Sequence, residues 1–344
     1  MIFLFDGPEP AKRNLFLSAL PQGDHLNEIF PFHNLTDARL ALAEIMLREV
    51  DAELNFLTVV LHEMRLNQAG WSITHRYLRQ DNFFAQVGGS QGGYEVHTAV
   101  GAPLIALSVA IELCSLEQDS PIGHLSKQYR PSQSSIEDLF PLIESPVEIG
   151  FEALDLALDT CLLLYFHELS HALYGHCDYL TKCNDELRAL EFDADFNAGT
   201  IFGAWLGGLP HARRKARKPE QFARRLVRAA FTLGTILKAV SARSTQYHLP
   251  TNRTNTFMAG GAFALTQNKL APTFKNEDTG NIYWAKIINK YCASLQEALR
   301  KSSLACTSGT EDEIEKDSWE LRNVTSIVRD RLKDGPLSSF KLKH

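Results

Sequence analysis

The segment Phe166-His167-Glu168-Leu169-Ser170-His171 concentrates more reactive chemistry than any other stretch of this 344-residue chain. Residues four apart on an α-helix share a face, so the imidazoles of His167 and His171 can reach one metal ion together. Glu168 sits next to the first imidazole. There it can take a proton from a water activated by the metal rather than bind the metal itself. An isolated H-E-x-x-H also arises by chance, as two surface histidines beside a carboxylate, so the motif gains weight only with a third donor.

A catalytic metal of this kind needs a third protein ligand and an open position. Arg188-Ala189-Leu190-Glu191-Phe192-Asp193-Ala194-Asp195 supplies it. Glu191 comes far enough after His171 for a second helix to return to the first. Asp195, one turn beyond, can accept a hydrogen bond from the non-metal nitrogen of a ligand histidine and so fix its tautomer. Ala194 and Ala198 share that face and let two helices approach closely. Other donors fit less well. Asp193 points away from Glu191 on a helix. His176, five residues after His171, reads as a helix-terminus or packing residue. The spacing of Cys177 and Cys183 matches no common zinc site. Two histidines, one carboxylate and an open position favour one Zn2+ per chain.

The elements that must carry these residues can be read in the flanking sequence. Ser145-Pro146-Val147-Glu148 is a capping box with Pro at the first helical position. Phe151 to Phe166 is strongly apolar, and Gly175 sits where a left-handed residue would end the helix. Gly150 is the point at which this helix could break. Upstream, Asp37 to Asn67 has helical periodicity. Phe83–Val87 and Tyr94–Val100 flank a Gly-rich segment and predict a hairpin. That segment lacks the glycine spacing and the Lys-Ser or Lys-Thr of a phosphate loop. Helix is expected over most of 145–242 and again over 282–300, and Glu311–Asp317 reads as a solvated loop or helix start. Composition divides the chain into an N-terminal α/β region (1–120), a Pro/Ser-rich connector (121–145), a catalytic core (146–270) and a C-terminal helical region (271–344). The expected class is mainly α (α+β), with a small sheet N-terminal to a helical core.

Hydrophobic residues make up 44% and charged residues 22%, enough for a sizeable core without disulfides. The six cysteines form no C-x-x-C pair and suit a reducing compartment, with Cys161 read as a buried small hydrophobe. The N-terminus lacks the pattern of a signal peptide, and Thr98–Ile111 is too short to span a bilayer. A soluble cytoplasmic protein without membrane contact is expected. The net charge of −6 calls for no polyanionic partner. Against it stands a basic stretch from His211 to Arg228, including Arg213, Arg214, Lys215, Arg217, Lys218, Arg224 and Arg225. It is read as a solvated loop and helix face, with an acidic partner or nucleic acid as the sharper alternative.

H-E-L-S-H-A-L-Y-G-H with E-F-D-A-D downstream resembles the gluzincin peptidases, whose third zinc ligand is a Glu in an E-x-x-A-D-type motif. Among these it is similar to the soluble Lit-type phage-exclusion peptidases, and more distantly to the membrane-embedded HtpX-like peptidases. The resemblance covers about residues 160–200. It implies a zincin-like catalytic core, zinc on His167, His171 and Glu191, and Glu168 as general base. It also implies an intracellular protein substrate, for the Lit type a translation factor, elongation factor Tu. Tyr247-His248-Leu249-Pro250-Thr251-Asn252-Arg253 resembles the segment downstream of the active site in HtpX-like enzymes, which implies that His248 or Arg253 stabilises the oxyanion. Two other uses of the same residues are a partner-binding regulator that retains a zinc site and a peptidase that cleaves a repressor.

Overall fold

The computed structural model describes residues 17, 20–22, 24–29, 37–63, 70–90, 92–117, 151–208, 218–241, 249–267, 277–300 and 311–332. In chain order these form α1 (Asp24–Ile29), α2 (Asp37–Leu61), β1 (Ser72–Leu78), β2 (Ala85–Ser90), β3 (Gly93–Ala99) and α3 (Gly101–Glu117). There follow α4 (Phe151–Leu173), a 3-10 turn (His176–Asp178), α5 (Asn184–Gly208), α6 (Pro219–Ser241), α7 (Pro250–Gln267), α8 (Glu277–Arg300) and α9 (Glu311–Leu332). The chain is mainly α with one small sheet, as its periodicities require. The capping box at 145–148, the connector 121–145 and His248 lie outside the described residues.

Helix α4 has no face made for water: residues 156–170 are all buried. A helix that is apolar all round belongs inside. It is surrounded by α2, α3, α5, α6 and the sheet. Helix α3 is its counterpart, with residues 101–114 all buried. The weakly charged run of 98–111 thus goes mostly into a core helix, and none of the described helices is long and apolar enough to cross a bilayer. One charged residue inside this core is firmly paired. Asp159 of α4 receives Arg225 of α6 through two contacts, at 2.8 and 2.5 Å. The same guanidinium lies 5.3 Å from the centre of the Trp205 ring, whose Nε1–H donates to Glu53 at 3.1 Å.

The sheet has the order β1-β3-β2. The expected hairpin is β2–β3, paired antiparallel from Ala85 opposite Thr98 to Ser90 opposite Gly93. Its turn uses Gly92 at φ 91°, a left-handed conformation that glycine adopts without strain. Phe83, whose β propensity suggests a strand, is instead a buried residue of the loop before β2. Strand β1 is not legible in the sequence. It pairs with β3 in parallel, from Ser72 opposite Gly93 to Leu78 opposite Ala99. Strand β2 stands at one edge of the sheet and lies beside α4 and the 3-10 turn.

One continuous cluster of buried side chains runs from Leu26 to Leu299. It crosses the boundaries that composition suggests at 120, 145 and 270, so those divisions do not separate cores. Helix α9 instead closes a small cluster of its own, in which Val328 and Leu332 meet Leu187 and Leu190 of α5. Its start, Glu311, falls in the acidic segment where a helix start is one of two readings. Cys114, Cys161, Cys177, Cys183 and Cys292 are free thiols, and Cys161 is buried.

Candidate metal centre

The candidate ion site is made by two helices that meet at their polar residues. Helix α4 delivers His167 and His171 from its last two turns and then stops at Gly175, which takes φ 80° as the left-handed residue expected there. The chain turns through His176–Asp178 and re-enters as α5, which carries Glu191, Asp193 and Asp195. Ala194 and Ala198 of α5 are fully buried, which fits the close approach expected of small side chains.

His167, His171 and Glu191 place one ligand atom each within 4.8 Å of one another. The His167 Nε2 to His171 Nε2 distance is 3.2 Å. Glu191 Oε2 is 3.3 Å from His167 Nε2, and Glu191 Oε1 is 3.5 Å from His171 Nε2. Bonds of about 2.0–2.1 Å in a tetrahedron put neighbouring ligands about 3.3 Å apart, and each pair of these side chains comes close to that spacing, the two carboxylate oxygens of Glu191 each facing one histidine. Glu191 Oε2 is buried without a hydrogen-bond partner. Its polar neighbours, His167 Nε2 at 3.3 Å and Arg253 Nη2 at 3.6 Å, stand at ion-pair rather than hydrogen-bond distance. Two imidazoles and a carboxylate, buried or nearly so and this close together, fit a metal ion.

Behind each histidine stands an aspartate. His167 Nδ1 lies 2.8 Å from Asp195 Oδ1. Asp195 is held in turn by Arg253 of α7, through Nε and Nη2, each at 2.8 Å. His171 reaches its aspartate indirectly, with Nδ1 3.0 Å from His176 Nδ1 and His176 Nε2 3.1 Å from Asp193 Oδ2. Asn197 Nδ2 donates to the same Asp193 oxygen at 3.1 Å, and Arg329 of α9 pairs with the other.

The charges result from this packing. Burial would lower His167, but Asp195 and Glu191 outweigh it and raise it to about 10. Burial pushes His171 well below the usual imidazole range despite Glu191. Glu191 sits at about 2: burial works to raise it, and the neighbouring His171, His167 and Arg253 pull it down further. Burial brings Glu168 up to about 7, with Glu191 assisting and His167 and Arg253 opposing. A carboxylate in that range is well matched to proton transfer near neutral pH.

Two expectations change here, and a third gains a partner. The resemblance puts Arg253 at a developing oxyanion, but it is 3% exposed and both prongs engage Asp195, with Nη2 also 3.6 Å from Glu191. Its place is behind the ligands. Asp193 points away from Glu191 as expected, yet it is buried and reaches His171 through His176. No helical spacing could have found that link, because it joins the turn after α4 to α5 across 17 residues. The basic stretch is also partly internal. Arg225 pairs with buried Asp159, and Arg228 lies 3.5 Å from Glu152 and 2.8 Å from the Cys114 sulfur. Arg213, Arg214, Lys215 and Arg217 lie outside the described residues.

The sheet is tied to the site by Tyr94, whose hydroxyl donates to Asp178 of the 3-10 turn at 2.5 Å. Compared with protein families, curated proteins and solved structures, the chain finds no match.

Proposed function

We propose that the chain is a zinc-dependent endopeptidase that hydrolyses a peptide bond in a protein substrate. The observation that carries this reading is the pairing of a three-sided ligand set, His167, His171 and Glu191, with a buried carboxylate, Glu168, one residue from the first ligand. A purely structural metal has no use for such a base. Two imidazoles and one carboxylate with a position left open suit zinc among the common ions.

When bound, the ion supplies Lewis acidity toward water and toward the scissile carbonyl. Glu168 takes the proton of the attacking water and passes it to the leaving amine. Asp195 and Arg253 keep the His167 ring oriented, so that its Nε2 rather than its Nδ1 faces the ion. Edge strand β2, beside α4, offers backbone groups on which an extended peptide can lie as an added strand.

The test is Glu168→Gln, assayed on a quenched fluorogenic peptide library with the zinc-loaded protein. The variant keeps its zinc and loses about 10²–10⁴-fold in hydrolysis. Full activity in Glu168→Gln would falsify the base assignment.

A further inference from the structure

The two ligand histidines are held in different ways, and the difference points to residues that H-E-x-x-H and Glu191 do not include. We infer that His176, Asp193 and Arg329 form a positioning relay for His171, so that the C-terminal helix α9 is part of the metal centre. The inference rests on the reading of His171 as a ligand.

The direction of the relay is set by proton counting. If Nε2 of His171 faces the ion, its one proton must be on Nδ1. That N–H donates to Nδ1 of His176 across 3.0 Å. His176 Nδ1 is then an acceptor, so its own proton is on Nε2, which donates to Asp193 Oδ2 across 3.1 Å. Each imidazole thereby fixes the tautomer of the next. The chain must end on an acceptor that cannot turn away, and Asp193 is that residue. It is 3% exposed, receives Asn197 on the oxygen that His176 uses, and meets Arg329 on the other.

On the His167 side one aspartate and one arginine do the same work in a shorter line, all from α5 and α7. On the His171 side the terminal cation comes from α9. This helix is otherwise anchored to α5 by small apolar contacts and by the Arg331–Glu186 pair, and Arg188 of α5 reaches back to its Asp317. Loosening α9 therefore removes one of the two side chains that hold Asp193, and with it part of what fixes His176 and His171. His176 sits at the turn after Gly175, where its ring stands 5.0 Å from that of His171 at 74°, too steep for stacking and suited to a nitrogen-to-nitrogen bond.

The experiment uses the full chain as wild type, His176→Leu, His176→Gln and Arg329→Met. Zinc affinity is read by competition with a chromophoric chelator, and ligand geometry by the visible spectrum of the cobalt-substituted protein. A Gln can accept from His171 and donate to Asp193, whereas a Leu can do neither. His176→Leu weakens zinc binding roughly 10–100-fold and shifts the cobalt spectrum, and His176→Gln recovers most of both. Arg329→Met weakens zinc in the same direction, and it decides the matter alone should His176→Leu fail to fold. Unchanged affinity and spectrum in folded His176→Leu and in Arg329→Met would overturn the relay while leaving the metal centre intact. Equal loss in His176→Leu and His176→Gln would also overturn it, in favour of simple packing. A wild type that takes up no zinc overturns both the relay and the metal centre.

Discussion

Arg253 and Asp195 are 58 residues apart in sequence and meet in a two-pronged ion pair, both contacts at 2.8 Å. Asp195 is fully buried and lies 2.8 Å from His167. Helix α7, which carries none of the three candidate ligands, thus holds the ring of His167 through Asp195. Arg253→Met takes from a buried carboxylate its two-pronged arginine partner, which costs about 3–5 kcal/mol. Arg253→Lys recovers only part of that, because an ammonium cannot reproduce the planar fork. Denaturant unfolding of the two variants beside the wild type measures this. A Lys variant as stable as the wild type would refute the two-pronged pairing.

The contact between α5 and α7 depends on glycine. A Cβ on Gly199 would stand 2.0 Å from the backbone oxygen of Phe257, an atom that cannot swing aside. Gly260 has the same relation to the oxygen of Phe196, at 1.9 Å. Gly199→Ala therefore pushes apart the helices that bring Arg253 to Asp195. Its expected cost is about 1–3 kcal/mol. Gly88→Ala is the control: it has nothing within 4 Å of the added atom, and its expected change is within about 0.5 kcal/mol. Thermal unfolding of both separates a close crossing from a general intolerance of substitution.

Glu112 of α3 contributes a stability that falls as pH rises through the acid-to-neutral range. Burial raises its carboxyl from the ordinary 4.5 to about 7, and its Oε1 has no hydrogen-bond partner. Between those two values the unfolded chain has given up a proton that the folded chain keeps, so folding weakens with rising pH, and above about 7 the effect levels off. The difference amounts to about 3 kcal/mol at its largest. Glu112→Gln removes this contribution and is more stable than the wild type at neutral pH. Chemical denaturation across pH 4.5 to 8 checks it, and parallel curves for the two proteins would contradict it.

The parts of the site that helical periodicity places are legible in the sequence. His167 and His171 share a face because they are four apart, Asp195 comes one turn after Glu191, and Gly175 ends α4 where a left-handed residue is needed. Pairings between distant segments leave no such trace. Arg329 reaches Asp193 from 136 residues away, and nothing local distinguishes it from any other arginine near a helix end. Helical spacing shows that Asp193 diverges from Glu191, but what lies on its other side depends on the return of α9. Strand β1 escapes for a related reason: it is seven residues long and its pairing with β3 is parallel, set by packing rather than by a turn. The arginines of α6 read as surface groups because charge in a sequence carries no sign of depth, and the partner of Arg225 is a buried aspartate on another helix.

The most direct test of the metal centre is the zinc content of the purified chain beside Glu191→Ala, measured by elemental analysis after mild chelation. About one zinc per wild-type chain is expected, with a loss in the variant while its fold persists. A folded wild type that takes up no metal when zinc is supplied would contradict it.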